Sequence, residues 1–229
     1  MFIGHFGVAL AAKRLAPRTS LGTLVMAAEF TDLLWPVFLL LGIERVGISP
    51  GITAVTPLDF VSYPFSHSLL ADVGWASLFA GVYKVVRRET QGALCLWCVV
   101  LSHWFLDALS HRPDLPLYPG GSTYIGLGLW NSRVGTLLVE GGLFAFGARL
   151  YGKAMRPRDR IGDWGFKSFI VILGVLYLVN LFGPPPPSVK AIVYSAFGMW
   201  LFVAWAYWLD RHRHPPIYRP PELVGQPLE

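Results

Sequence analysis

Residues 101–114 read "LSHWFLDALSHRPD" and place His103, Asp107 and His111 at i, i+4 and i+8, on one face of a helix. An imidazole nitrogen and a carboxylate oxygen one turn apart suit Zn²⁺, or another divalent metal such as Mn²⁺, without thiolate. A metal held this way does hydrolytic chemistry, because it activates water and stabilises a developing oxyanion. His111 either completes a mononuclear site or joins a second metal, and an Asp can instead orient an imidazole from behind. One His-x3-Asp pair arises by chance, and a lone membrane histidine is often a hydrogen-bonded packing residue. The weight therefore rests on the other ionisable residues set in apolar sequence: His5, Glu29, Asp32, His67, Asp72 and Glu140. At membrane depth such groups cost a few kcal/mol each and usually mark function.

The surroundings are membrane-grade. Charged residues make up 14% of the 229 residues, against about 25% in soluble domains, while hydrophobic residues reach 54% and the mean hydropathy is +0.49. The net charge of +5 is scattered in short clusters between apolar segments. That pattern argues for topology signals and against a nucleic-acid partner. Cys95 and Cys98 lie in "ALCLWCVVL" and read as small buried residues, with no thioredoxin-like context. "MFIGHFGVALAAKRLAP" lacks the basic start of a signal peptide.

Six segments are apolar over the roughly 20 residues that a span needs: 20–42, 66–86, 92–111, 126–150, 165–183 and 189–210. Lys and Arg concentrate in alternate connections, which predicts cytoplasmic N- and C-termini. Residues 2–12 are too short to span and predict a half-inserted or interfacial helix; 212–229 form a Pro-rich polar tail. The fold class is thus all-α: one integral-membrane domain over 1–211, a polytopic bundle with its metal-site half in 1–150 and two further spans in 165–210. At 1.5 Å per residue Asp32 and His103 each lie about 20 Å from the cytoplasmic ends of their spans, and Asp107 about 25 Å. His111 reaches the outer boundary and His67 opens the second span from that side. Asp32, His67, His103, Asp107 and His111 therefore share one layer in the outer half of the bilayer. His5, about 12 Å up from Lys13, reaches it if its helix tilts, and Glu140 falls below it. Glu29, Asp72 and Glu140 read as packing or supporting residues.

"GHFGVALAAK", "AAEFTDLLWP", "YPFSHSLL" and "LSHWFLDALSHRPDLPLY" together resemble the YdjM-like family of predicted membrane-bound metal-dependent hydrolases. The resemblance covers roughly residues 3–120 and puts His5, Asp32, His67, His103 and Asp107 at the family's motif positions. The ligand order also looks like a membrane-embedded version of zinc-dependent phospholipase C. Two departures stand out: "EFTD" lacks the family's Pro-Asp start, and Thr136 stands where a later His-x3-Glu pair would begin.

The reading is an integral-membrane hydrolase of a bacterial inner membrane, acting on a phosphoester of a lipid or lipid-linked substrate. His5, Asp32, His67, His103, Asp107 and His111 are the candidate ligands, with Asp32 bridging a metal or serving as general base. Two alternatives stay open: a transporter or proton/metal relay built on the same residues, and a non-catalytic membrane protein with a structural metal.

Overall fold

Helix starts follow the capping residues. Ser20, Ser68, Glu89, Ser132, Asp159 and Ser188 each accept the backbone N–H three residues on, satisfying a donor that a helix start leaves free. The computed structural model describes residues 1–216; the remainder of the expected tail, 217–229, lies outside the described residues. The described residues form ten helices: α1 Ile3–Ala12, α2 Leu21–Ala28, α3 Phe30–Leu40, α4 Pro64–His67, α5 Leu69–Arg87, α6 Thr90–Ser110, α7 Arg133–Ala154, α8 Arg160–Phe182, α9 Val189–Phe197 and α10 Met199–Arg211. Three short antiparallel ribbons tie the connections: β1 Arg45–Ile48 with β2 Leu58–Ser62, β3 Leu115–Pro116 with β4 Tyr124–Ile125, and β5 Arg156–Pro157 with β6 Arg213–His214.

The molecule is an all-α bundle. Four helical stretches are long and apolar enough to cross a membrane: α5, α6, α8 and the run α9–α10. The pair α2–α3 adds a fifth if counted as one span bent by 54°. This is the make-up of a multi-pass membrane protein, with four to five such spans instead of the six expected. The difference lies at 126–150. Residues 126–132 are loop and a 3-10 turn, and α7 begins only at Arg133. Although α7 has 22 residues, Glu140, Arg149 and its glycines leave it short of a span's hydropathy.

What α7 does is hold α1. A Cβ on Gly147 would lie 2.0 Å from the Gly7 carbonyl oxygen, and one on Gly7 2.7 Å from that of Leu143, so the two backbones touch. The N-terminal helix is correspondingly enclosed by α2, α6, α7 and α8, with Ile3, Phe6, Ala9 and Leu10 all buried. It is a central element of the bundle and not an interfacial one. Toward its far end Lys13 donates to Thr19 O at 2.8 Å and pairs with Asp210 at 3.2 Å.

Two smaller expectations change. Cys98 is exposed on α6 and Cys95 half-buried, so neither is a core residue. The tail begins as structure, because Arg213 is buried, donates to Gly162 O and Met155 O, and lies over the rings of Tyr151 and Phe166.

Candidate metal centre

The helix break supplies the first positioning device. Between α2 and α3 the chain turns at Glu29, whose N–H reaches back to both Val25 O and Ala27 O. A helix end leaves its last carbonyls without partners in the helix, and the Ala28 carbonyl accepts from His103 Nδ1 at 2.7 Å. Just past the break, the first turn of α3 carries Asp32. The caps of α4 and α5 then fix His67, at the last position of α4 immediately before the Ser68 cap.

All six candidate ligands meet. Asp107 is the hub: Oδ1 lies 3.2 Å from His5 Nε2, and Oδ2 lies 3.2 Å from His103 Nε2, 3.8 Å from His67 Nε2 and 3.9 Å from His111 Nε2. Asp32 lies 3.2 Å from His67 Nε2 and 3.8 Å from His103 Nε2. Two triads have ligand atoms within 4.8 Å of one another, His5–His103–Asp107 and Asp32–His67–His103, sharing His103. His111 stands outside both. The rings of His5 and His103 stack face to face, centroids 3.7 Å apart. The α-amino group of Met1 also contacts Asp107, and Phe2 N–H donates to Glu140 at 2.8 Å, which brings Glu140 to the rim of the layer.

Three of the imidazoles are held from behind. His103 Nδ1–H donates to the Ala28 carbonyl. His67 Nδ1 lies 2.6 Å from Ser66 Oγ, whose own proton goes to Glu44 at 2.7 Å, so the ring must be the donor. His111 Nδ1 lies 3.0 Å from Asp114 Oδ1, which can only accept. When neutral, His67 and His103 therefore present an unprotonated Nε2 to Asp32 and Asp107, and His111 presents one to Asp107 alone. Such lone pairs facing carboxylate oxygens in a buried space are reconciled by a shared cation, either a proton on Nε2 or a metal ion. Consistent with that, His103 Nε2 is buried with no hydrogen-bond partner, while His5 faces Asp107 through Nε2. The donor set and the outer acceptors fit a divalent metal, since ligating histidines commonly give their other N–H to a carboxylate or carbonyl.

No family model, curated protein or solved structure matches the chain.

Electrostatics at the outer edge follow burial. Burial lowers the His111 pKa from its ordinary value, against the opposing pull of Asp114. Hydrogen bonds from His111, Arg112 and Tyr63 hold Asp114 below the usual carboxylate range in spite of its own burial, and burial beside Asp114 pushes the Tyr63 phenol well up. The supporting residues Glu44, Ser66, Tyr63 and Asp114 were not singled out from the sequence. Glu44 sits in the connection between α3 and α4, and one acidic residue in a loop carries no local signal. In the structure it is buried and accepts from Phe65 N, Ser66 N and Ser66 Oγ. Glu29 and Asp72 are buried with both carboxylate oxygens unpartnered among the described residues.

Proposed function

We propose that the chain is a membrane-embedded, metal-dependent hydrolase acting on a phosphoester of a lipid or lipid-linked substrate. The observation that carries this reading is the set of three imidazoles, each fixed at Nδ1, that turn Nε2 toward the Asp32 and Asp107 carboxylates. His5, Asp32, His67, His103 and Asp107 would hold Zn²⁺ or Mn²⁺, with His111 at the margin. A divalent ion held there supplies Lewis-acid stabilisation of charge on a phosphoryl oxygen. Asp32 is the cluster member most open to its surroundings, its side chain 28% exposed where the other partners are at most 4%. It is the residue placed to orient a water and accept its proton. The residue pattern shared with the YdjM-like family points the same way.

Purified protein should contain Zn or Mn by elemental analysis and hydrolyse a phosphodiester, with both lost in His103→Ala. Protein free of divalent metal, or hydrolysis indifferent to that substitution, refutes the reading. The relay alternative is disfavoured by Phe6, Leu10, Leu24 and Val25, fully buried between this layer and the Lys13–Asp210 pair.

The basic connections are read as cytoplasmic, so that α7 crosses although short of a span's hydropathy, the C-terminus lies in the cytoplasm of a bacterial inner-membrane protein, and Met1, beside Asp107, lies with the cluster toward the outer leaflet. A membrane-impermeant maleimide should then label Gly120→Cys in intact cells and Arg158→Cys only after permeabilisation; the reverse pattern inverts the topology.

A further inference from the structure

The segment Tyr63–Ser68 touches three different environments within six residues. Tyr63 and Pro64 line an outer pocket of about 310 Å³ together with Ser62, Asp114, Tyr118 and Tyr124. Ser66 and His67 belong to the metal centre and its support. Phe65, between them, points elsewhere: with Phe38, Ile43, Trp75 and Leu78 it lines an apolar groove of about 480 Å³ between the end of α3 and the start of α5. The backbone N–H of Phe65 is pinned by Glu44, and its carbonyl accepts from Trp75 Nε1 at 2.8 Å. The groove wall is thus tied to the same carboxylate that orients His67. Its second wall is α3, the helix that carries Asp32.

Phe65, Ile43 and Leu78 are about half exposed; Leu78 is on α5, which is apolar enough to cross a membrane, where the surrounding solvent is hydrocarbon, and Phe65 and Ile43 lie just beyond the ends of α5 and α3. The outer pocket, in contrast, is lined by phenol hydroxyls and a carboxylate, the make-up of a site for a polar group. A polar pocket, an apolar groove and the cluster meet along this one segment, which sets sites for the head, the chain and the ester bond of one amphiphile side by side.

We propose that the α3–α5 groove seats the apolar chain of a membrane lipid whose polar head lies in the Tyr63–Tyr118–Tyr124 pocket, reaching the cluster laterally from the bilayer. The proposal rests on the hydrolase reading for its ester bond, but the groove can be tested without catalysis. Gly74 lines the groove, and a Cβ there meets nothing within 4 Å. Gly74→Leu therefore starts from open space at its Cβ, adds side-chain volume inside the groove and favours the helix.

The full-length protein is reconstituted in phosphatidylcholine vesicles containing phosphatidylglycerol with a photoactivatable group on one acyl chain, and labelled peptides are mapped. Labelling should concentrate in 38–43 and 65–78 over the equally exposed α8 face of Val171, Val175 and Val179. In Gly74→Leu the groove labelling should fall roughly tenfold, as about 1.4 kcal/mol of lost binding would give, with melting temperature and bound metal unchanged. Labelling spread evenly over α8 and the groove, or unaffected by Gly74→Leu, overturns the proposal. Metal content read on the same samples separates the two failures: metal with even labelling ends the groove alone, and groove labelling without metal ends the hydrolase alone.

Discussion

Glu44 holds the His67 side of the cluster although it never touches the imidazole. Its carboxylate takes two backbone N–H groups and the Ser66 hydroxyl, and the hydroxyl is thereby committed to accept from His67 Nδ1. Replacing Glu44 by Gln offers one acceptor oxygen and one NH2, so a bond to Phe65, Ser66 N or Ser66 Oγ is lost and the His67 tautomer is released. Residues that support a ligand in this way cost about 10–100-fold in metal affinity when changed. Glu44→Gln should show a drop of that size by chelator competition, while the protein keeps its helical circular dichroism. Unchanged affinity would mean that His67 is not a ligand.

Among the elements, α1 and α7 depend on each other most directly, since their backbones meet at Gly7 and Gly147. His5 occupies the turn of α1 just before this contact, so the separation of the two helices sets how far its ring reaches toward Asp107. Gly147→Ala forces a methyl group to within 2.0 Å of the Gly7 carbonyl, an overpacking that costs about 1–3 kcal/mol. Gly141 lies on the same helix with open space at its Cβ, where alanine is expected to stabilise by about 0.5–1 kcal/mol. Thermal unfolding in detergent should move in opposite directions for the two variants. Bound metal should fall only in Gly147→Ala; equal behaviour would show that the close approach is not needed.

On the scale of the whole molecule, the end of α10 is tied back to the α7–α8 junction. β6 pairs with β5, Arg213 is buried over Tyr151 and Phe166, and His212 Nδ1 bonds Asp159 at 2.8 Å. Asp159 also caps α8, and the His212 bond is the main reason its carboxyl stands below the ordinary value of 3.8. A carboxylate lowered on folding stabilises above its unfolded pKa, and that contribution is lost as pH falls through the folded value. At pH 7 Asp159→Asn should speed amide exchange at residues 156–157 and 213–214. Below the folded pKa, under about 3.8, variant and parent should exchange alike. A difference that persists in acid would place the latch elsewhere.

Hydropathy and spacing determined the helical class, most of the apolar helices and the common face of His103, Asp107 and His111. They also placed Asp32 and His67 at the depth of that face, because rise per residue and amphipathic period are local properties of the chain. The convergence of α1, α3, α4 and α6 on Asp107 was legible only as agreement in depth. Which ring nitrogen faces the centre depends on Ala28 O, Ser66–Glu44 and Asp114, and none of these has a sequence signal. The same holds for α7, whose apolar run looked like a span until Glu140 and the glycines met α1, and for the N-terminal helix, which is too short to reveal that it lies inside the bundle. Those features were decided by long-range packing, where a residue's role depends on a neighbour well over a hundred positions away, as Phe2 and Gly7 depend on Glu140 and Gly147, and not on its own helix.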